Sequence, residues 1–300
     1  MITNDIISRP KNDRKNDKEI TNVPDKRKKV GLALGGGYAR GLAHIGILEV
    51  LEREGIPIDM IAGTSIGALI GALYAKQKDA GQLKEQAMLL DLMGTTALVD
   101  LAFPKSGLIG GKRITNLLRR FIGNSSFNDL DIPLACVATD IINGDEVVIS
   151  DGSVLEAVRA SFSIPVIFTV VKYQGRYLVD GGLVNPVPVS VVKKMGADFI
   201  IAVDVTPDKK ERANYLTREE PPREPGLFQV MAQSIYISTY LTAKAASEGA
   251  DISIHPHLTQ IGPGEFHRVR ECILEGELSA EDQAAHLKRH LAAAGIRLLK

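Results

Sequence analysis

Cysteine is scarce in this chain, and an excess of charge of either sign is absent. Only Cys136 and Cys272 occur among 300 residues, far apart and outside any CxxC or Cys/His cluster. That argues against a disulfide framework and a structural zinc site, and places the expected compartment among the reducing, cytoplasmic ones. Thirty-six Lys and Arg cancel 36 Asp and Glu, so nothing in the charge balance asks for nucleic acid as a partner. There is no internal repeat, no low-complexity tract and no N-terminal apolar stretch of signal-peptide length. One run carries a single charge over 18 positions, IDMIAGTSIGALIGALYA at 58–75. Asp59, Thr64 and Ser65 fall in its first half and Gly63 and Gly67 bracket a turn, so a buried strand followed by a helix is expected there, not a membrane span.

What is present is enough apolar residue, 45% of the chain, for the core of one large α/β domain. Residues 1–29 stand apart: nine Lys/Arg against five Asp/Glu leave +4. The expectation is a solvated, disordered tail, able to lean on an anionic membrane surface by only about 1 kcal/mol per charge. From residue 30 onward, apolar runs alternate with helical periodicity. Strands are expected at 30–34, 58–62, 134–139 and 199–205, helices at 42–55, 66–76, 114–121, 189–195 and 227–248, a hairpin at 170–179 around Gln174-Gly175, and a short strand at 252–255. Residues 147–149 are expected to pair with 134–139 across Asn143-Gly144, and one or two helices close the chain. Two successive βα units predict a mainly parallel central sheet with helices on both faces. Residues 30–300 read as one domain: a core at 30–205, an exposed loop at 206–226 holding four prolines, and a helical part at 227–300.

Three elements could carry chemistry. The first is Gly63-Thr64-Ser65-Ile66-Gly67, a GxSxG between an expected strand and a small-residue helix, the setting of a nucleophile elbow. Ser65 would project its hydroxyl where the following helix aims backbone N–H groups and its positive end; the plainer reading is a Ser N-cap. The second is Gly35-Gly36-Gly37-Tyr38-Ala39-Arg40-Gly41 after the first strand. It fits an oxyanion hole, or a dinucleotide site through the GxGxxxG spacing of Gly35, Gly37 and Gly41. The dinucleotide reading lacks its ribose-side residue, since the second strand ends Ala62-Gly63-Thr64-Ser65. The third concerns a base for Ser65. Of six histidines, only His255 and His257, past a late strand, are placed as a triad would ask. The alternative is Asp180, which ends a strand ahead of Gly181 and Gly182; alone, Asp-Gly-Gly is a turn.

In this order, GGGYARG at 35–41, GTSIG at 63–67 and DGG at 180–182 resemble the patatin-like phospholipase family, in its bacterial branch related to neuropathy-target-esterase-type catalytic domains. GLIGGKR at 107–113, VATDIINGD at 137–145 and ASFSIPVIF at 160–168 add to the likeness. The resemblance implies a three-layer α/β fold and a Ser65–Asp180 dyad. It also implies an oxyanion hole at Gly35, Gly36 and Gly37, with Arg40 at the family's basic position. The implied activity is hydrolysis of phospholipid or lysophospholipid esters with no metal or organic cofactor, with peripheral membrane contact possible and the oligomeric state open. Tyr38 departs from the family's glycine run; a positive φ there would strain the Tyr and leave open which N–H groups form the hole. Other outcomes are a non-catalytic lipid-binding module, a soluble carboxylesterase, or segments 98–107 and 206–226 gating the site.

Overall fold

The computed structural model describes residues 27–92, 111–206, 226–262 and 264–299. Most of the basic tail, the 98–107 segment, part of GLIGGKR and nearly all of the 206–226 loop lie outside the described residues. Eight strands form one sheet: β1 (Val30–Leu34), β2 (Met60–Thr64), β3 (Leu134–Asp140), β4 (Glu146–Ile149), β5 (Val171–Tyr173), β6 (Arg176–Asp180), β7 (Phe199–Val203) and β8 (Ile252–Ile254). The order is β5-β6-β3-β2-β1-β7-β8, with β4 also on β3. Strands β3, β2, β1, β7 and β8 are parallel, and β4, β5 and β6 are antiparallel to their neighbours. The helices are α1 (Ala43–Arg53), α2 (Ile66–Gln77), α3 (Ala80–Leu92), α4 (Gly111–Ile122), α5 (Val154–Ser161), α6 (Val189–Lys194), α7 (Leu227–Ser247) and α8 (Val269–Ala293).

The central strands are buried on both faces, so they read as continuous apolar runs, and their period of two sorts side chains by size. Leu32, Leu34, Ile61, Leu134, Cys136 and Ile201 point to one face, where α1, α2, α5 and α8 cover them. Ala33, Ala62, Ala135 and Ala202 point to the other, under α6 and Ala243 of α7. The small residues let that second helix layer sit close, and the large ones supply most of the burial, each worth about 1.5–3 kcal/mol. Layers of helix, sheet and helix result, as the alternation of elements predicts.

The structure also departs from the sequence reading. β2 begins two residues later than expected, because Met60 is the first residue to pair with β1. Helices α3 and α5 lie where the sequence pattern predicts none. The second has a local signal, since Ser153 caps it by accepting the Glu156 N–H at 3.4 Å in an S-x-x-E pattern.

The pairing around β3 brings two distant strand ends together. Val137 of β3 pairs with Thr64 of β2 and with Val148 of β4, so those two strands lie on opposite edges of β3. Ala138, the next residue, pairs with Val147 of β4 and with Asp180 of β6. Strands β2 and β6 therefore share one edge of β3, β2 as far as Val137 and β6 from Ala138 onward. One is parallel to β3 and the other antiparallel, so they run toward each other and meet end to end. The residues at the meeting point are Thr64-Ser65 and Asp180.

Candidate active site

Ser65 occupies the turn between β2 and α2 with φ 56° and ψ −121°, a conformation that is unfavourable for a residue with a Cβ. The turn is tight enough to need glycine on either side. A Cβ at Gly67 would lie 2.2 Å from the Leu34 carbonyl oxygen, and one at Gly63 would lie 2.5 Å from that of Gly67. Ser65 is buried, its N–H donates to Ser161 Oγ at 2.8 Å, and its Oγ donates to Asp180 Oδ2 at 2.5 Å.

Asp180 is equally constrained. Oδ1 accepts the Gly182 N–H at 2.8 Å, its N–H donates to the Ser163 carbonyl at 2.9 Å, and its own carbonyl accepts Thr139 Oγ1 at 2.9 Å. Gly181 packs directly on the Val137 carbonyl, with no room for a Cβ. Burial raises the carboxyl pKa to about 6, with the Ser65 hydroxyl and Gly182 N–H pulling the other way. A carboxylate with that value is ionised at neutral pH yet is a better proton acceptor than an exposed one.

The glycine turn after β1 runs beside Ser65, close enough that a Cβ on Gly36 would come within 3.4 Å of Ser65 Cβ. Two of the three expected oxyanion donors are already committed: the Gly35 N–H bonds the Val203 carbonyl and the Gly36 N–H the Pro186 carbonyl, both at 2.9 Å. Of the hole expected from Gly35, Gly36 and Gly37, the Gly37 N–H alone stays available among the described residues. Among the described residues no acceptor meets the N–H groups of Gly37 and Tyr38. Tyr38 has φ 56°, in the left-handed region that strains a residue with a Cβ. His44, fully buried, donates Nε2–H to the Gly35 carbonyl at 2.8 Å, and burial lowers its pKa to about 4, so it is neutral.

A narrow cleft opens over Ser65 and Asp180 with about 20 Å³ of free space, room for one water. Its far wall is α7, through Ile235, Tyr236, Thr239 and Tyr240, residues with no local sequence signal for this role. Tyr236 packs against Tyr38 with ring centroids 5.9 Å apart. Arg40, fully buried, donates to the Ile261 carbonyl at 2.6 Å and the Tyr236 hydroxyl at 3.1 Å, tying α7 to the glycine turn. None of the six histidines lines the cleft; His255 instead sits 3.8 Å from Asp204, which removes the Ser-His-Asp arrangement.

A family model described as "Patatin-like phospholipase" matches residues 32–193, a stretch that takes in both Ser65 and Asp180. The chain belongs to the patatin-like phospholipase family. Lysophospholipase NTE1 of Scheffersomyces stipitis is 33% identical over 237 residues, covering 73% of this chain and 15% of that protein. Human patatin-like phospholipase domain-containing protein 6 is 36% identical over 192 residues, covering 62% of this chain and 14% of that protein. The chain thus spans about one seventh of the length of these family members. Among solved structures, VipD from Legionella pneumophila aligns over 87% of this chain and 67% of that one, with a TM-score of 0.48 and 12% identity.

Proposed function

We propose that this chain hydrolyses carboxylic esters of lipids, phospholipid or lysophospholipid, with Ser65 as nucleophile and Asp180 as its base. The observation that carries this reading is the 2.5 Å hydrogen bond from Ser65 Oγ to Asp180 Oδ2, made where two strands meet end to end. Asp180 takes the hydroxyl proton as Ser65 Oγ attacks the ester carbonyl. The oxyanion that forms is held by the N–H groups of Gly37 and Tyr38, which meet no acceptor among the described residues. Collapse expels the alcohol, which takes the proton from Asp180. Water, deprotonated by Asp180, then attacks the acyl-Ser65 ester, and Ser65 leaves with the proton as the fatty acid is released.

A purely lipid-binding role is less well supported, because such a module would have no need of a hydrogen-bonded Ser–Asp pair. Lipid is favoured over small soluble esters by α7. While one face of this helix walls the cleft, the other exposes Leu227 (78%), Val230, Met231, Ile237 and Leu241 (66%). We place peripheral contact with a lipid surface on that stripe; no described helix is long and apolar enough to cross a membrane. We also read residues 30–300 as one hydrolase domain, supported by α8 packing on α1, where Gly46 and Gly276 bring the helices into backbone contact.

The activity is tested by measuring fatty acid released from lysophosphatidylcholine by the wild type and Ser65→Ala, with release expected from the wild type alone. Contact with lipid has its own reporter. The chain has no tryptophan, so Leu241→Trp introduces a single one. Its emission should shift to the blue with phosphatidylcholine vesicles, while a Trp at exposed Leu278 on α8 should not respond.

A further inference from the structure

The last turn of α5 and the residues after it touch both members of the dyad. Ser161, fully buried, accepts the Ser65 N–H on its Oγ at 2.8 Å. Two residues on, the Ser163 carbonyl accepts the Asp180 N–H at 2.9 Å. Ser163 is fully buried too. Its Oγ donates to the Arg159 carbonyl at 2.6 Å and accepts from the Arg159 guanidinium. The same guanidinium donates to the Thr169 carbonyl at 3.0 Å. Arg159 is only 5% exposed and makes no ion pair among the described residues. Burying a guanidinium without a carboxylate is costly, and the bonds it makes in return fasten the end of α5.

We infer that Ser161 and Arg159 are positioning residues, and that segment 159–163 is a brace fixing the separation and mutual orientation of Ser65 and Asp180. The inference rests on the dyad reading above. Ser65 holds a strained backbone conformation, and the Ser161 bond anchors its N–H from outside the turn. Asp180 arrives from another strand, and its N–H is anchored to the same segment. Without the brace, the two residues are related chiefly by strands that meet at their ends, and a misplacement of about 1 Å is enough to cost about 100-fold in rate.

The test uses a soluble p-nitrophenyl ester and the full chain. Ser161→Ala should lower kcat about 10- to 100-fold with KM little changed and the melting temperature close to wild type. Ser161→Thr, which keeps the acceptor oxygen, should recover most of the loss. Arg159→Lys, which can reach Ser163 Oγ or the Thr169 carbonyl but not both, should show a smaller kcat defect of the same kind, and it carries the test if Ser161→Ala does not fold. A folded Ser161→Ala with wild-type kcat would overturn the inference, as would a loss in Arg159→Lys confined to KM. The dyad reading fails separately, through activity that survives in Ser65→Ala or Asp180→Asn.

Discussion

The turns after β1 and β2 lie side by side on neighbouring parallel strands, and each passes through a non-glycine residue with φ 56°, Tyr38 in one and Ser65 in the other. Alike in following a parallel strand and in this φ, they differ in what is bonded. At Ser65 both the N–H and the hydroxyl have partners, Ser161 and Asp180, so the turn delivers one aimed side chain. At Tyr38 the ring packs on Tyr236 and the N–H, with that of Gly37 before it, is left without an acceptor among the described residues. The same strand-to-helix device thus presents an aimed hydroxyl in one turn and, among the described residues, N–H groups without an acceptor in the other, and which it presents depends on contacts made by distant parts of the chain.

The largest effect that would break this contrast is removal of the base. Asp180→Asn should lower kcat on any ester by about 100- to 10,000-fold, while a turn that needed no aimed hydroxyl would be indifferent. In the wild type, kcat/KM should fall about tenfold per pH unit below about 6, where the Asp180 carboxyl takes up a proton, and level off above it.

Next in size is a stability change of opposite sense. A carboxyl whose pKa is raised from 3.8 to about 6 by folding supports the fold fully only below 3.8, and that support is lost as pH rises through 6. At pH 7.5 the ionised form therefore opposes folding by up to about 3 kcal/mol. Asp180→Asn should accordingly be more stable than wild type in urea titration at pH 7.5, with the gain gone below pH 4. His44 leaves the comparison at pH 7.5 undisturbed, since it is neutral there in folded and unfolded chains alike; its lowered pKa removes stability only as pH falls from 6.5 toward 4.

The smallest effect sharpens the likeness of the turns. At Tyr38, replacement by Gly should leave the chain about 1 kcal/mol more stable than replacement by Ala, because only Gly is free of the left-handed penalty. The same order should hold for Ser65→Gly against Ser65→Ala, measured by thermal unfolding. A reversed order at either residue would mean the two backbones are not equivalent.

The elements nearest the chemistry were legible wherever a short stretch contains its own signal. The apolar strand, paired glycines and small-residue helix around Ser65 are local, as are the Gln174-Gly175 hairpin and Asn143-Gly144. What could not be read depends on pairing between distant segments. That β2 and β6 share an edge of β3, bringing Asp180 to Ser65, follows from a register spread over residues 64–180. The same holds for Gly35 and Gly36, whose N–H groups are taken by the carbonyls of Val203 and Pro186, far along the chain. Helix α5 is the instructive case, for its Ser153-x-x-Glu156 start was readable, while the contact of its far end with both dyad members was not.

Activation of Ser65 by Asp180 is tested most directly by reaction with a fluorophosphonate, followed by intact mass and peptide mapping across pH 5–8. A single adduct on Ser65 is predicted, forming faster as pH rises through about 6 and nearly abolished in Asp180→Asn. An adduct on another residue, or an Asp180→Asn protein that labels at the wild-type rate, would contradict it.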